Sequence, residues 1–167
     1  YSFDRQNWFK VVGEEVKATR EKAVLIDQTS FAKFLISGSE SLKALEYICA
    51  NNINKPVGST IYTQMLNHHG GIECDVTITV IDKNTFYLVT GTGFMTHDLN
   101  WISANIPNGM DVKIKNITYE NSVFSLMGPN SREILQGLTE SDLSNDKFPF
   151  ATYQKIKLGH LEINAIR

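Results

Sequence analysis

Cysteine is scarce in this chain of 167 residues. Cys49 and Cys74 are the two present, too few to staple a fold, and their spacing matches no zinc pattern. They read as buried free thiols in a reducing compartment. Long apolar runs are absent too: none approaches the roughly 20 residues of a membrane span, and no signal peptide opens the sequence. Runs of lysine or arginine are missing, and a formal net charge of −2 gives no basic stripe, which excludes nucleic acid as the primary partner. The Gly-x-Gly-x-x-Gly fingerprint is lacking as well. Gly91-Thr92-Gly93-Phe94-Met95-Thr96 has no third glycine, so a dinucleotide loop is excluded. What is there is ordinary for a globular protein, 42% hydrophobic and 20% charged, at a length suited to one domain with a sizeable core. The start at Tyr1 and the stop at Arg167, straight after an alternating run, read as the cut ends of something longer.

Periodicity and punctuation predict a mixed α+β chain. Helical spacing of Phe9, Val12 and Val16 predicts a helix from Asn7, as cap, to about Ala23. Strands follow over 24–26 and 31–36, then a helix from Ser39, as cap, to about Ala50. Two runs, 61–66 and 72–80, are joined by Asn67-His68-His69-Gly70-Gly71 and read as a hairpin. A strand over 86–90 precedes a helix near 94–106, closed by Pro107-Asn108-Gly109. Strands over 112–117 and 123–127 lead to a helix opened by Gly128-Pro129, and two strands, 153–158 and 161–166, surround Gly159-His160. Phe34 to Ser41 with Leu45 echoes Phe124 to Ser131 with Leu135, the two glycines Gly38 and Gly128 standing ninety residues apart. The echo fits either a duplicated strand–glycine–helix unit or the common preference of such turns for Gly and Ser.

Strand parity singles out one carboxylate. Over 72–80, Ile72, Cys74, Val76, Ile78 and Val80 fall on one face, the core face. Glu73, Asp75, Thr77 and Thr79 fall on the other, which parity alone leaves as either a solvated sheet face or a polar cavity. Aspartate is depleted in strands because its short side chain competes for backbone hydrogen bonds, so Asp75 in mid-strand needs a reason. Gly70 and Gly71 permit a sharp turn and a close approach to a ligand, and they equally suit a plain hairpin.

Several stretches, in order and over essentially the whole chain, carry a family resemblance: Arg5-Gln6-Asn7-Trp8-Phe9, Asp27 to Phe34, Ile61 to Asn67, Met65 to Thr77, Thr90-Gly91-Thr92-Gly93, His97 to Ile102 and Leu126-Met127-Gly128-Pro129. The chain resembles the folate-binding domain of the glycine-cleavage aminomethyltransferase (T-protein) family, in wording closer to the C-terminal region of sarcosine and dimethylglycine dehydrogenases. The resemblance implies mainly antiparallel sheets with packed helices in a single domain over residues 1–167, truncated before a glutamate-bearing glycine-rich segment and a small β-barrel. It implies tetrahydrofolate as cofactor, with FAD confined to an upstream domain that this chain does not contain. It implies transfer of a methylene unit to tetrahydrofolate from an amine such as sarcosine, dimethylglycine or an aminomethyl-lipoyl group. Asp75 takes the family's functional carboxylate, the second of an aspartate pair whose first member is here Cys74. It would orient the folate and stabilise the cation formed during transfer. Tyr62 and Phe31 would line the pterin pocket, with Leu35, Thr77 and Gly91 nearby; ordinary core packing is the alternative for the two aromatics, and Phe31 stands where the glycine-cleavage enzyme has methionine.

Other constellations carry less. His68 and His69 are adjacent on a loop, and His97-Asp98 shows no third partner in sequence, so no metal site is expected. Ser30 and Ser131 have no paired base in a recognisable motif. The expected partners are folate, a small-molecule amine and the rest of a parent polypeptide, with no nucleic acid and no membrane. The expected compartment is the cytoplasm of a bacterium, with the mitochondrial matrix as alternative. Besides a one-carbon transferase, a non-catalytic regulatory relative, a tetrahydrofolate-dependent demethylase of the same fold and a methyltransferase acting on a sulfonium compound remain open.

Overall fold

A computed structural model describes residues 3–167, so Tyr1 and Ser2, where the sequence opens, lie outside the described residues. The chain runs α1 (Phe9–Glu21), β1 (Val24–Asp27), β2 (Ala32–Ser37), α2 (Ser41–Ile48), β3 (Thr60–Leu66), β4 (Ile72–Asp82), β5 (Thr85–Thr90), a 3-10 turn (Thr92–Phe94), α3 (Met95–Asn105), β6 (Lys113–Asn116), β7 (Phe124–Met127), α4 (Ser131–Gln136), β8 (Tyr153–Leu158) and β9 (Leu161–Ile166). Every strand pairing is antiparallel. A central sheet has the order β3-β4-β5-β2-β6, and β1-β7 and β8-β9 form separate two-stranded ribbons. This is the mixed α+β architecture that the pattern predicts, with the antiparallel sheets and packed helices that the resemblance implies.

One face of the central sheet makes the main core. Ala32, Phe34, Ile36, Ile61, Met65, Cys74, Val76, Ile78, Val80, Phe86 and Leu88 are buried there against Leu45 and Ile48 of α2 and Ile102 of α3. Helix α2 presents Ser41, Ala44, Leu45 and Ile48 to the sheet, the i, i+3, i+4, i+7 stripe of an amphipathic helix. A smaller core of Leu143, Phe148, Ile156 and Ala165 supports the β8-β9 ribbon. Helix α1 buries none of its residues, and Phe9, Val12 and Val16, which predicted it, are exposed.

Several boundaries differ from expectation. Trp8, not Asn7, stands at the α1 N-cap, and Glu40, not Ser39, at that of α2. Ser39 instead donates its backbone N–H and its hydroxyl to Asp111 Oδ2, at 3.0 and 2.7 Å. Pro129 lies one residue outside the N-cap Asn130 of a short α4. Gly70 and Gly71 serve the hairpin itself. Asn67 Oδ1 accepts from the backbone N–H of His69 and Gly71, each at 2.9 Å, and a Cβ on Gly71 would stand 2.9 Å from the Asn67 amide nitrogen. The close approach that Gly71 permits is therefore to Asn67.

The two echoed glycines do the same job. Gly38 after β2 has φ +133° and Gly128 after β7 has φ +116°, and each carbonyl accepts the N–H three residues on, from Ser41 and Ser131, at 3.1 Å. A Cβ at Gly38 would fall 2.1 Å from the Asp111 carbonyl oxygen, and one at Gly128 would fall 2.5 Å from that of Lys22. Backbone atoms cannot rotate away as a side chain can, so strain from φ and clash add. Gly38→Ala and Gly128→Ala are each expected to lower the unfolding free energy by at least about 1–3 kcal/mol, read from urea denaturation. A midpoint unchanged in either variant would show that the turn relaxes freely.

Candidate functional site

A bulge decides what β4 presents to each face. Along β3-β4 the register runs Thr60↔Thr79, Tyr62↔Thr77, Gln64↔Asp75 and Met65↔Cys74, then slips so that Leu66 pairs with Ile72. Glu73 is the extra residue, and a one-residue slip sends side chains to the other face. Ile72 is consequently 65% exposed rather than in the core, and Glu73 is drawn out of the Asp75 row toward His97 on α3. Beyond the bulge the expected parity holds, with Cys74, Val76, Ile78 and Val80 buried.

The opposite face of the central sheet gathers the sequence-predicted residues. The ladder sets Tyr62, Thr77, Val89 and Lys33 side by side on β3, β4, β5 and β2. On one side of that row lie Gln64 and Asp75, and on the other Thr60, Thr79, Tyr87 and Leu35. At about 4.8 Å between strands the middle row spans roughly 14 Å. Phe31 immediately precedes β2, Gly91 immediately follows β5, and Ser30 Oγ lies 3.0 Å from Thr92 Oγ1, tying their two loops together. Asp75, Tyr62, Thr77, Leu35, Phe31 and Gly91 thus belong to one face and its rim. The face is neither wholly solvated nor wholly closed. Asp75 and Tyr62 are exposed, Phe31, Leu35, Thr77 and Gly91 are half-buried, and Lys33 and Thr79 are buried.

Asp75 has two side-chain neighbours on β3. Gln64 Nε2 donates to its Oδ1 at 3.2 Å, and the nearby Asp75 carboxylate is the largest influence holding the Tyr62 phenol above its usual range. At the other end of the middle row, Lys33 lies fully buried, its ammonium donating to the carbonyls of Thr29 at 2.7 Å and Phe31 at 3.0 Å. Burial pushes the Lys33 ammonium below its ordinary value. Sequence reading overlooked Lys33, Val89, Tyr87 and Gln64 on this face. A lysine inside the apolar run 31–36 was the signal for the first; the others follow only from register.

A second cluster lies under β4, on the α3 side. Asp98, 1% exposed, accepts a hydrogen bond from Thr90 Oγ1 at 2.5 Å and faces His97 Nδ1 at 2.8 Å. His97 Nε2 lies 3.5 Å from Glu73 Oε2, and Glu73 Oε1 accepts from Asn67 Nδ2 at 2.8 Å. The Cys74 sulfur, a His97 ring nitrogen and an Asp98 carboxylate oxygen all fall within 4.8 Å of one another, a convergence that spacing alone did not show because Cys74 comes across from β4. Burial, then the negative charge of Asp98, pushes the Cys74 thiol well up, and burial holds Cys49 up at about 12. Both thiols are free, Cys74 buried and Cys49 half-buried. An open groove of about 940 Å³ lies elsewhere, between α4 and β9, lined by Leu126, Leu135, Leu143, Phe148, Ile166 and Arg167 among others. No helix among the described residues is long and apolar enough to cross a membrane.

Comparison with known proteins identifies the family and the fold. The family model described as the GCVT N-terminal domain matches residues 1–167. Mitochondrial dimethylglycine dehydrogenase of Rattus norvegicus is 41% identical over 167 residues, covering 99% of this chain and 19% of that protein. The mitochondrial pyruvate dehydrogenase phosphatase regulatory subunit of Mus musculus is 31% identical over 168 residues, covering 99% of this chain and 19% of its own length. This chain therefore spans about a fifth of these curated relatives. Among solved structures, the glycine cleavage system aminomethyltransferase T of Bartonella henselae shares the fold with a TM-score of 0.74 at 21% identity, over 86% of this chain and 38% of that one. The relatives correct one expectation. Dimethylglycine dehydrogenases are mitochondrial proteins in rat, human and mouse, as are sarcosine dehydrogenases in mouse and human, which favours a mitochondrial over a bacterial cytoplasmic compartment. Free thiols in a reducing environment fit either compartment, so the residues themselves could not separate the two. With the family model matched from the first residue to the last, the chain belongs to the GCVT N-terminal domain family, that of the aminomethyltransferases and the sarcosine and dimethylglycine dehydrogenases.

Proposed function

We propose that this chain is the tetrahydrofolate-binding domain of an amine-demethylating enzyme, in which Asp75 assists capture of the one-carbon unit lost by a methylated amine such as dimethylglycine or sarcosine. The observation that carries the reading is the gathering of Asp75, Tyr62, Thr77, Leu35, Phe31 and Gly91 on one sheet face and its rim, together with relatives that act on methylated amines. The residues fit a flat, polar-edged ring. Tyr62 offers an exposed aromatic surface, Leu35 and Phe31 half-buried apolar ones, and Asp75 an exposed carboxylate at one edge. When bound, tetrahydrofolate supplies the nitrogens that accept the one-carbon unit. Asp75 would face positive charge developing on the nitrogen involved in transfer and stabilise it, with Gln64 fixing the carboxylate's direction. Lys33 keeps the Thr29–Phe31 loop folded against β2, and so holds the Phe31 wall in place. No part of this assignment calls for a metal, and flavin chemistry belongs to residues outside the chain.

In the intact protein, Asp75→Ala is expected to lower methylene transfer to tetrahydrofolate by about 10²–10³-fold while amine oxidation continues. Transfer at the wild-type rate would remove Asp75 from the mechanism. Tyr62→Ala is expected to weaken tetrahydrofolate binding by about tenfold, on the order of one buried aromatic contact, measured by calorimetry. Unchanged affinity would place the pterin elsewhere.

One finding favours a second reading. The similarity to a phosphatase regulatory subunit extends over 99% of this chain, so the same fold could bind folate for regulation without transfer. Stoichiometric tetrahydrofolate binding in the intact protein, with no methylene transfer under any amine substrate, is the result that would establish it over the first.

A further inference from the structure

Among the described residues, the two buried charged side chains are Lys33 and Asp98. Lys33 has its place in the Phe31 loop. Asp98 lies on the far side of β4 from the face that carries Asp75, outside the candidate folate site. Burying a carboxylate is costly unless hydrogen bonds replace its water. Asp98 meets that requirement with the Thr90 hydroxyl of β5 at 2.5 Å and the neighbouring His97 ring at 2.8 Å, and the Cys74 thiol of β4 lies within 4.8 Å. A favourable position in the first turn of α3 accounts for an aspartate there, but an exposed one would serve the helix dipole as well. What burial adds is contact with the residues around Asp75. Cys74 immediately precedes it, and Thr90 immediately precedes Gly91. Thr90 Oγ1, its proton committed to Asp98, also packs 3.5 Å from the Asp75 carbonyl oxygen. His97 extends the grip by one residue, reaching Glu73 at the bulge.

We infer that Asp98 and His97 are positioning residues for Asp75, holding Glu73, Cys74 and Thr90 from the first turn of α3 so that the bulged strand aims Asp75 into the opposite face. The inference rests on the reading of Asp75 as the site carboxylate. It has a consequence in pH. The groups facing His97 are Asp98 on its own helix, and Glu73 from β4 with the Cys74 thiol beside Asp98. A protonated imidazole donates from both nitrogens and satisfies both carboxylates; a neutral one has a single N–H. The shorter contact, to buried Asp98, keeps that donor, and Glu73 is released to Asn67 alone. The hydrogen bond with Asp98, reinforced by the charges of Asp98 and Glu73, holds His97 above its ordinary value of 6.5. The bridge is therefore complete below about pH 6.5 and is lost as pH rises through the raised value of the folded state.

The test follows the Asp75 backbone amide resonance of the chain through the His97 titration, beside methylene transfer by the intact protein over the same pH range. In the wild type the Asp75 amide is expected to shift with the His97 midpoint, and transfer is expected to decline with it. His97→Gln, at a half-exposed position that folds readily and cannot titrate, is expected to flatten both curves. Asp98→Asn is expected to lower transfer by up to about 10²-fold, the scale of misplacing a reacting group by an ångström. An Asp75 amide indifferent to the His97 titration, or the same pH break surviving in His97→Gln, overturns the positioning role even if Asp75→Ala abolishes transfer. An Asp75 amide that follows His97 while Asp75→Ala transfers at the wild-type rate instead overturns the role of Asp75 and leaves the mechanical link standing.

Discussion

The bulge at Glu73 is the constraint on which the arrangement around Asp75 depends. Between Met65 and Leu66 the β3-β4 register slips by one residue, and Glu73 and Asp75 of β4 part company. Glu73 turns toward α3 and is met by Asn67 and His97, while Asp75, two residues later, keeps its strand position opposite Gln64. Without the slip, strand alternation would place both carboxylates on one face, where like charges repel. With it, one carboxylate braces the strand from behind and the other stands by itself among neutral partners, Gln64 and Tyr62. Bulges recur beside functional sites because they re-aim a side chain without ending the sheet.

The two faces of the central sheet divide the labour. The core face, packed by α2 and α3, supplies stability through apolar burial and carries Asp98 as its single buried carboxylate among the described residues. The opposite face carries the mixture of carboxylate, phenol, threonine and aliphatic groups suited to a planar polar ligand. Because strands are rigid and cross-linked, that mixture is held by the sheet rather than by loops, which keeps its members in register. The rim differs. Phe31 and Gly91 sit on turns, and these are fastened by Lys33 and by the Ser30–Thr92 contact.

Much of the fold was legible in advance. The β8-β9 hairpin matches its predicted bounds, and β3, β4, β5 and α3 lie within a residue or two of theirs, because alternation and helical spacing record burial directly. The echoed units at Gly38 and Gly128 have the same turn geometry, which single residues flanked by strand and helix patterns made visible. What failed were the statements that needed a partner. The caps Asn7 and Ser39 failed because other residues took the position, and Ser39 found Asp111 far along the chain instead. The core placement of Ile72 failed because parity counted along one strand is blind to a slip against its neighbour.

The sequence by itself determined the element order, the core alternation of β4 beyond the bulge, the oddity of an aspartate in mid-strand and the family to which its motifs point. These are properties of near neighbours in the chain, where local propensity and period act. Only the tertiary structure decided that Leu35 and Tyr62 share a face with Asp75, that Phe31 and Gly91 stand at its rim, that Lys33 is buried beside them, and that Cys74, His97 and Asp98 converge behind it. Those juxtapositions join residues tens of positions apart, and they are set by strand order and register. The physical reason is that pairing energy belongs to two strands at once, so no single stretch of sequence records it.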